Sequence, residues 1–181
     1  MTLKPDSTED IEAKRERLRD ARRLELLRRR KKKMEWELPH LFAFKWYKWA
    51  WDFFSNIVDK TQAICAANQI SKSSSAIRKC IDWCTDKEKW PELWPAHDNP
   101  NLIWYLYPSK DVATAEFKKK WSQFMPRGDM EHDPIYGWKA HYDKKQISHI
   151  DFNSGMTVYF KTYMQNVSTL QSGSVFAIFC D

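Results

Sequence analysis

No stretch of this chain constrains its fold more than residues 63–84. An apolar run, Ala63-Ile64-Cys65, leads into Ala66-Ala67-Asn68-Gln69-Ile70-Ser71-Lys72-Ser73, and a helical pattern follows from Ser74 to Cys84. A strand, a tight loop and a helix in that order open a βα unit, so an α/β fold is expected. The loop has the layout of a phosphate-binding loop. There, backbone N–H groups cradle phosphates, a Lys reaches the outer ones, and the hydroxyl after it ligates Mg²⁺. Ala66 and Ser71 stand where the pattern G-x-x-x-x-G-K-[ST] has glycines. The same letters also read as a polar helix N-terminus capped by serines between Ser71 and Ser75.

The other end of the chain bears on this choice. Val175-Phe176-Ala177-Ile178-Phe179-Cys180-Asp181 is an apolar run closed by an Asp. Phosphate-loop ATPases hold Mg²⁺ through an Asp at the end of a buried strand.

Charge is distributed unevenly. Residues 14–33 hold twelve Lys/Arg and three Asp/Glu, a net of +9, whereas the whole chain is +6, so the remainder is about −3. The basic character is therefore local, and Arg28 to Lys33 could meet DNA phosphates or an acidic partner, or form a solvated helix. No run of ~20 apolar residues suits a membrane span, and the N-terminus lacks the apolar core of a signal peptide. The chain is expected in the cytoplasm. Ten Trp and 15% aromatic residues argue for a packed protein. Cys65 and Cys180 fall in expected buried strands, and Cys80 and Cys84 lie one helical turn apart. All four read as buried free thiols, since ligand partners at metal spacing are not evident. The five histidines are scattered and read as neither catalytic nor metal-binding.

Four regions are expected: a frayed tail at 1–13, a basic helix at 14–33, an aromatic-rich subregion at 34–58 and an α/β part at 59–181. In the second region Leu18, Leu24, Leu26 and Leu27 make only a weak apolar stripe. In the α/β part, strands are expected at about 62–67, at Leu102–Tyr107, at Ile147–Phe152, at Met156–Tyr163 and at Val175–Asp181. The third and fourth pair across Asn153-Ser154-Gly155. Helices are expected at about 72–85 and at Asp111–Phe124, the latter stopped by Pro126. This alternation predicts a mostly parallel sheet with a hairpin insertion.

Taken in order, several segments resemble the N-terminal ATPase part of the large terminase subunit of tailed phages. They are Glu37-Leu38-Pro39-His40-Leu41, Trp46-Tyr47-Lys48-Trp49, the Ala66–Ser73 loop, Trp104-Tyr105-Leu106-Tyr107-Pro108-Ser109-Lys110, Phe152-Asn153-Ser154-Gly155, Thr169-Leu170-Gln171-Ser172-Gly173 and the Asp181 run. The resemblance implies an incomplete phosphate-loop ATPase sheet of the ASCE type, in the order five-one-four-three-two. It implies ATP and Mg²⁺ as cofactors. Ala67, Asn68, Gln69, Ile70, Ser71, Lys72 and Ser73 would bind nucleotide, and Ser73 and Asp181 would hold Mg²⁺. Trp49 and its aromatic neighbours would lie where relatives contact adenine, although the same cluster also reads as core packing or as an interfacial helix. The implied activity is ATP-driven translocation of double-stranded DNA into a prohead. Implied partners are the portal, the small terminase subunit and other copies of the chain in a ring, in the host cytoplasm.

The pattern also departs from the family. Ser71 replaces a Gly in a loop that favours one. Asn68 occupies the place of an arginine finger, for which Arg78 and Arg127 are the nearest substitutes in sequence. Ala50 stands where relatives often have an adenine-reading Gln. The Glu that serves as general base directly follows the strand-terminal Asp in this class. The chain closes on Asp181, so an inactive, truncated ATPase is expected. Alternatives are a non-hydrolysing nucleotide-binding or regulatory fragment, and a module that binds DNA or protein through the basic helix.

Overall fold

The computed structural model describes residues 8–43, 45–56, 61–63, 71–91, 101–165 and 175–180. The chain divides into two compact units, Met1–Trp36 and Glu37–Asp181. The first is built on α1 (Thr8–Glu37). This helix begins before Lys14, so residues 8–13, expected as tail, are helical. It lacks Gly and Pro, and Glu25 and Glu35 pair with Arg29 and Lys31 one turn away. Every side chain from Lys14 to Trp36 is exposed, including Leu18, Leu24, Leu26 and Leu27. Among the described residues no helix is long and apolar enough to cross a membrane.

The second unit is α/β with an open, mixed five-stranded sheet. Its strands are β1 (Leu102–Tyr107), β2 (Trp138–Asp143), β3 (Gln146–Phe152), β4 (Thr157–Thr162) and β5 (Ala177–Cys180), in the order β2-β3-β4-β1-β5. β1 runs parallel to both β4 and β5, while β2–β3 and β3–β4 are antiparallel. The expected mostly parallel sheet is thus corrected to a mixed one. The cause is β2, a strand without a clear signature. Its turn to β3 is Lys144-Lys145, both at positive φ (46° and 71°), a conformation that Asn or Gly would ordinarily announce. The β3–β4 connection does carry such a signal, and Gly155 sits there at φ 97°.

Helices are α2 (Pro39–Phe42), α3 (Lys48–Ser55), α4 (Lys72–Cys84), α5 (Lys110–Glu116) and α6 (Ser122–Phe124). Ser109 caps α5, its hydroxyl accepting from the Val112 N–H. A π-helical turn at Phe117–Trp121 joins α5 to α6. Phe117 and Trp121, four residues apart and so on one face, are both buried. Ile77, Cys80, Ile81 and Cys84 of α4 pack with Ile103, Tyr105 and Tyr107 of β1 and with Trp121 in one core. The Trp121 ring stands edge-on to Tyr105 and Phe160, each 5.1 Å away, and its N–H donates to the Tyr107 hydroxyl.

Candidate functional site

The N-terminus of α4 carries the described part of the expected phosphate loop. Ser71 is its N-cap, with φ 65° and ψ 26° in the left-handed region. A non-glycine residue is uncommon there. The Ser71 side chain makes no capping hydrogen bond, and its backbone carbonyl takes the first intrahelical bond, from the Ser75 N–H at 2.9 Å. Serine capping through the Ser71 hydroxyl is therefore not what shapes this turn. Lys72 and Ser73 follow as the first two helical residues, both half-buried. The positive end of the helix dipole lies at these residues, an arrangement suited to an anion. Ala66, Ala67, Asn68, Gln69, Ile70 and Asp181 lie outside the described residues, as do Cys65 and most of the strand expected at 62–67.

Behind its first turn α4 is buried on nearly all sides. The apolar residues face the sheet, and Ser75, Arg78, Lys79 and Asp82 are buried polar residues of the same helix. Arg78 donates through Nε to the His40 carbonyl and through Nη2 to the Leu41 carbonyl at 2.6 Å. Its guanidinium lies 4.3 Å from the centre of the Trp46 ring. The Lys79 ammonium lies 3.7 Å from the centre of Trp90 and 3.6 Å from Asp82 Oδ2. Lys89 binds Asp82 Oδ1 at 2.6 Å, so one carboxylate balances two ammonium groups. Burial pushes Lys79 down to about 8; Asp82 opposes the shift and Lys89 adds to it.

The two arginines named as finger substitutes both bind backbone carbonyls. Arg78 is committed to the carbonyls that end α2. Arg127 donates through Nη2 to the carbonyls of Ser122 and Gln123, closing the C-terminus of α6. Both serve as backbone caps, because guanidinium forks readily satisfy the orphan carbonyls of a helix end.

The aromatic subregion is not a closed core. Ala50 and Phe54 are buried, but Trp46 and Trp49 are half-buried and Tyr47 and Trp51 exposed. Trp49 stacks on Tyr47 with centroids 6.4 Å apart and planes within 12°. Trp46, Tyr47, Trp51, Lys45, Leu41 and Arg78 are among the residues lining an open cleft of about 760 Å³. Trp49 does not line this cleft; its neighbours do.

One expectation about an individual residue fails, and the structure adds one grouping of histidines. Cys180 is exposed rather than buried, because β5 is an edge of the described sheet; Cys80 and Cys84 are buried free thiols as expected. The histidines are not all scattered. Strand pairing sets His141 opposite His149, and their Nε2 atoms lie 3.0 and 3.8 Å from Asp151 Oδ2. Burial lowers the His149 pKa, with Asp151 opposing and His141 and Lys110 reinforcing. Only the register of a hairpin whose first strand has no sequence signature brings this trio together.

Comparisons of the chain with family models, with curated proteins and with solved structures return no match.

Proposed function

We propose that this chain is the ATPase part of a viral DNA-packaging motor, a large terminase subunit, and that it binds Mg²⁺-ATP at the N-terminus of α4. The observation that carries the reading is the left-handed conformation of Ser71 directly before Lys72 and Ser73. The glycine of G-x-x-x-x-G-K-[ST] meets the same steric demand, a turn that brings backbone against phosphate. The serine at this place keeps the turn without using its hydroxyl to cap the helix. Lys72 would neutralise phosphate charge, and Ser73 together with Asp181, which lies outside the described residues, would hold Mg²⁺. Bound there, Mg²⁺-ATP would supply a phosphoryl group for transfer to water. The sheet supports the reading as well. β1 and β5 are parallel neighbours, matching the adjacency of strands two and three in the terminase order. Within the Trp46–Trp51 cluster Tyr47 and Trp51 are exposed aromatic side chains on which a base would stack, without a Gln at position 50 to read its edge.

The basic helix supports double-stranded DNA as partner, since its cations are exposed along the whole of α1. Mg²⁺-ATP titration by calorimetry tests the nucleotide site. The chain should bind one equivalent, and Lys72→Ala should abolish binding while the thermal melt stays cooperative. Unchanged affinity in Lys72→Ala would overturn the assignment.

A further inference from the structure

The hairpin β2–β3 carries a second constellation, remote in sequence from the loop at Ser71. His141 and His149 face each other across the two strands, and Asp151 follows two residues on, on the same face. A β-bulge makes this possible. Tyr142 pairs with Ile147 and His141 with His149, so Ser148 is the extra residue. Without it, strict alternation would send Ile147 and His149 to one face. With it, Ile147 and Ile150 both enter the core while the imidazole and carboxylate turn outward, half-buried.

The donor atoms converge. One ring nitrogen of His141, one of His149 and one carboxylate oxygen of Asp151 all lie within 4.8 Å of one another. The separations to Oδ2 are 3.0 and 3.8 Å. Tetrahedral coordination with bonds of ~2.0–2.2 Å sets ligand atoms ~3.4 Å apart, between these two values. The surrounding groups orient the donors. The Thr157 hydroxyl donates to Asp151 Oδ1 at 2.7 Å, which leaves Oδ2 for the imidazoles. Ser148 Oγ lies 3.2 Å from His149 Nδ1, which leaves Nε2 for a ligand. Partners of this kind fix ligand orientation in metal sites. The His149 ring is itself packed between His141, at 4.4 Å, and Tyr159, at 4.7 Å.

We propose that His141, His149 and Asp151 form a binding site for a divalent transition-metal ion of the zinc type. Two imidazoles and one carboxylate suit Zn²⁺ or Co²⁺ and disfavour Mg²⁺ and Ca²⁺, which take oxygen donors. Three protein ligands leave one position for water. The two imidazole planes are within 6° of parallel, so binding turns the rings toward a shared ion. The ion clips β2 to β3. This site is independent of the nucleotide reading.

The test is titration of the metal-free, full-length chain with Zn²⁺ and with Co²⁺. Expected are one equivalent bound through this trio, Co²⁺ d–d bands of four- or five-coordination without a thiolate charge-transfer band, and a rise in melting temperature with Zn²⁺. His141→Ala and Asp151→Asn should each weaken binding at least ~100-fold, and Thr157→Val ~10-fold or more. In the wild-type chain, which needs no variant to fold, Zn²⁺ should shift the Nε2 resonances of His141 and His149. Affinity unchanged in both His141→Ala and Asp151→Asn, thiolate bands in the Co²⁺ spectrum, or unmoved imidazole resonances at saturating Zn²⁺ would each overturn the proposal. The trio would then be an ion-paired surface cluster.

Discussion

The Arg78 guanidinium lies over Trp46 at 4.3 Å while its nitrogens hold the carbonyls of His40 and Leu41. One side chain of α4 thereby anchors both α2 and Trp46. A planar, multivalent donor is needed, so lysine is a poor substitute. Arg78→Lys and Arg78→Ala should both destabilise the chain, the latter by ~2–4 kcal/mol, since one buried and one partly buried acceptor lose their donor. Urea unfolding measures this. An Arg78→Ala variant of wild-type stability would contradict the anchoring role and reopen a catalytic one.

Ser71 sets a second prediction. A left-handed L-residue costs ~1–2 kcal/mol, partly offset in Ser71→Gly by the freer unfolded chain. Ser71→Gly should therefore gain ~0.5 kcal/mol and bind Mg²⁺-ATP at least as tightly. Ser71→Val should lose ~1 kcal/mol or more, because a β-branched residue is a genuine outlier at positive φ. Thermal melts of the two variants should bracket the wild type. The opposite order would mean that the turn is not held in this conformation.

His40 makes stability depend on pH. It is buried, with Thr85 Oγ1 3.5 Å from Nε2 and Nδ1 without a hydrogen-bond partner among the described residues. Burial, reinforced by Lys89 and Arg78, lowers its pKa from 6.5 to about 3. Between these values the unfolded chain binds one more proton than the folded one. Stability is therefore fully present above pH 6.5 and falls as pH drops toward 3, by up to ~1.4 kcal/mol per pH unit. Urea midpoints between pH 4.5 and 7.5 should show this slope, and His40→Gln should flatten it. Parallel slopes for the two proteins would contradict the burial of a neutral imidazole.

The basic helix should bind duplex DNA without sequence preference. Replacing Arg28, Arg29, Arg30, Lys31, Lys32 and Lys33 by Ala keeps helix propensity and removes six cations. Fluorescence anisotropy should show weaker binding and a shallower dependence of log affinity on log salt, because fewer counterions are released. An unchanged salt slope would move the DNA contact into the α/β unit.

Much of the fold was legible where local signals were strong. Leu102–Tyr107 is a plain apolar β-run, Asn153-Ser154-Gly155 announces its hairpin, and α4 starts where the Lys72-Ser73 pattern requires. β2 was not legible, because Trp138–Asp143 mixes charged and aromatic residues and Lys144-Lys145 disguises a positive-φ turn. The loss of β2 hid the His141–His149–Asp151 trio, since neighbours across a bulged hairpin leave no sequence period. The open placement of Trp46 and Trp51 was equally hidden. Aromatic content reports packing in general but not which ring faces solvent.

The most direct measurement of the central claim is hydrogen–deuterium exchange with and without Mg²⁺-ATP, in the wild-type chain and in Lys72→Ala. Protection is expected mainly in peptides spanning Ala66–Ser75, as backbone amides at the start of α4 close on phosphate. This protection should vanish in Lys72→Ala. Protection that persists in Lys72→Ala, or that falls on the basic helix or the β2–β3 hairpin instead, would contradict a phosphate-binding loop at Ser71-Lys72-Ser73.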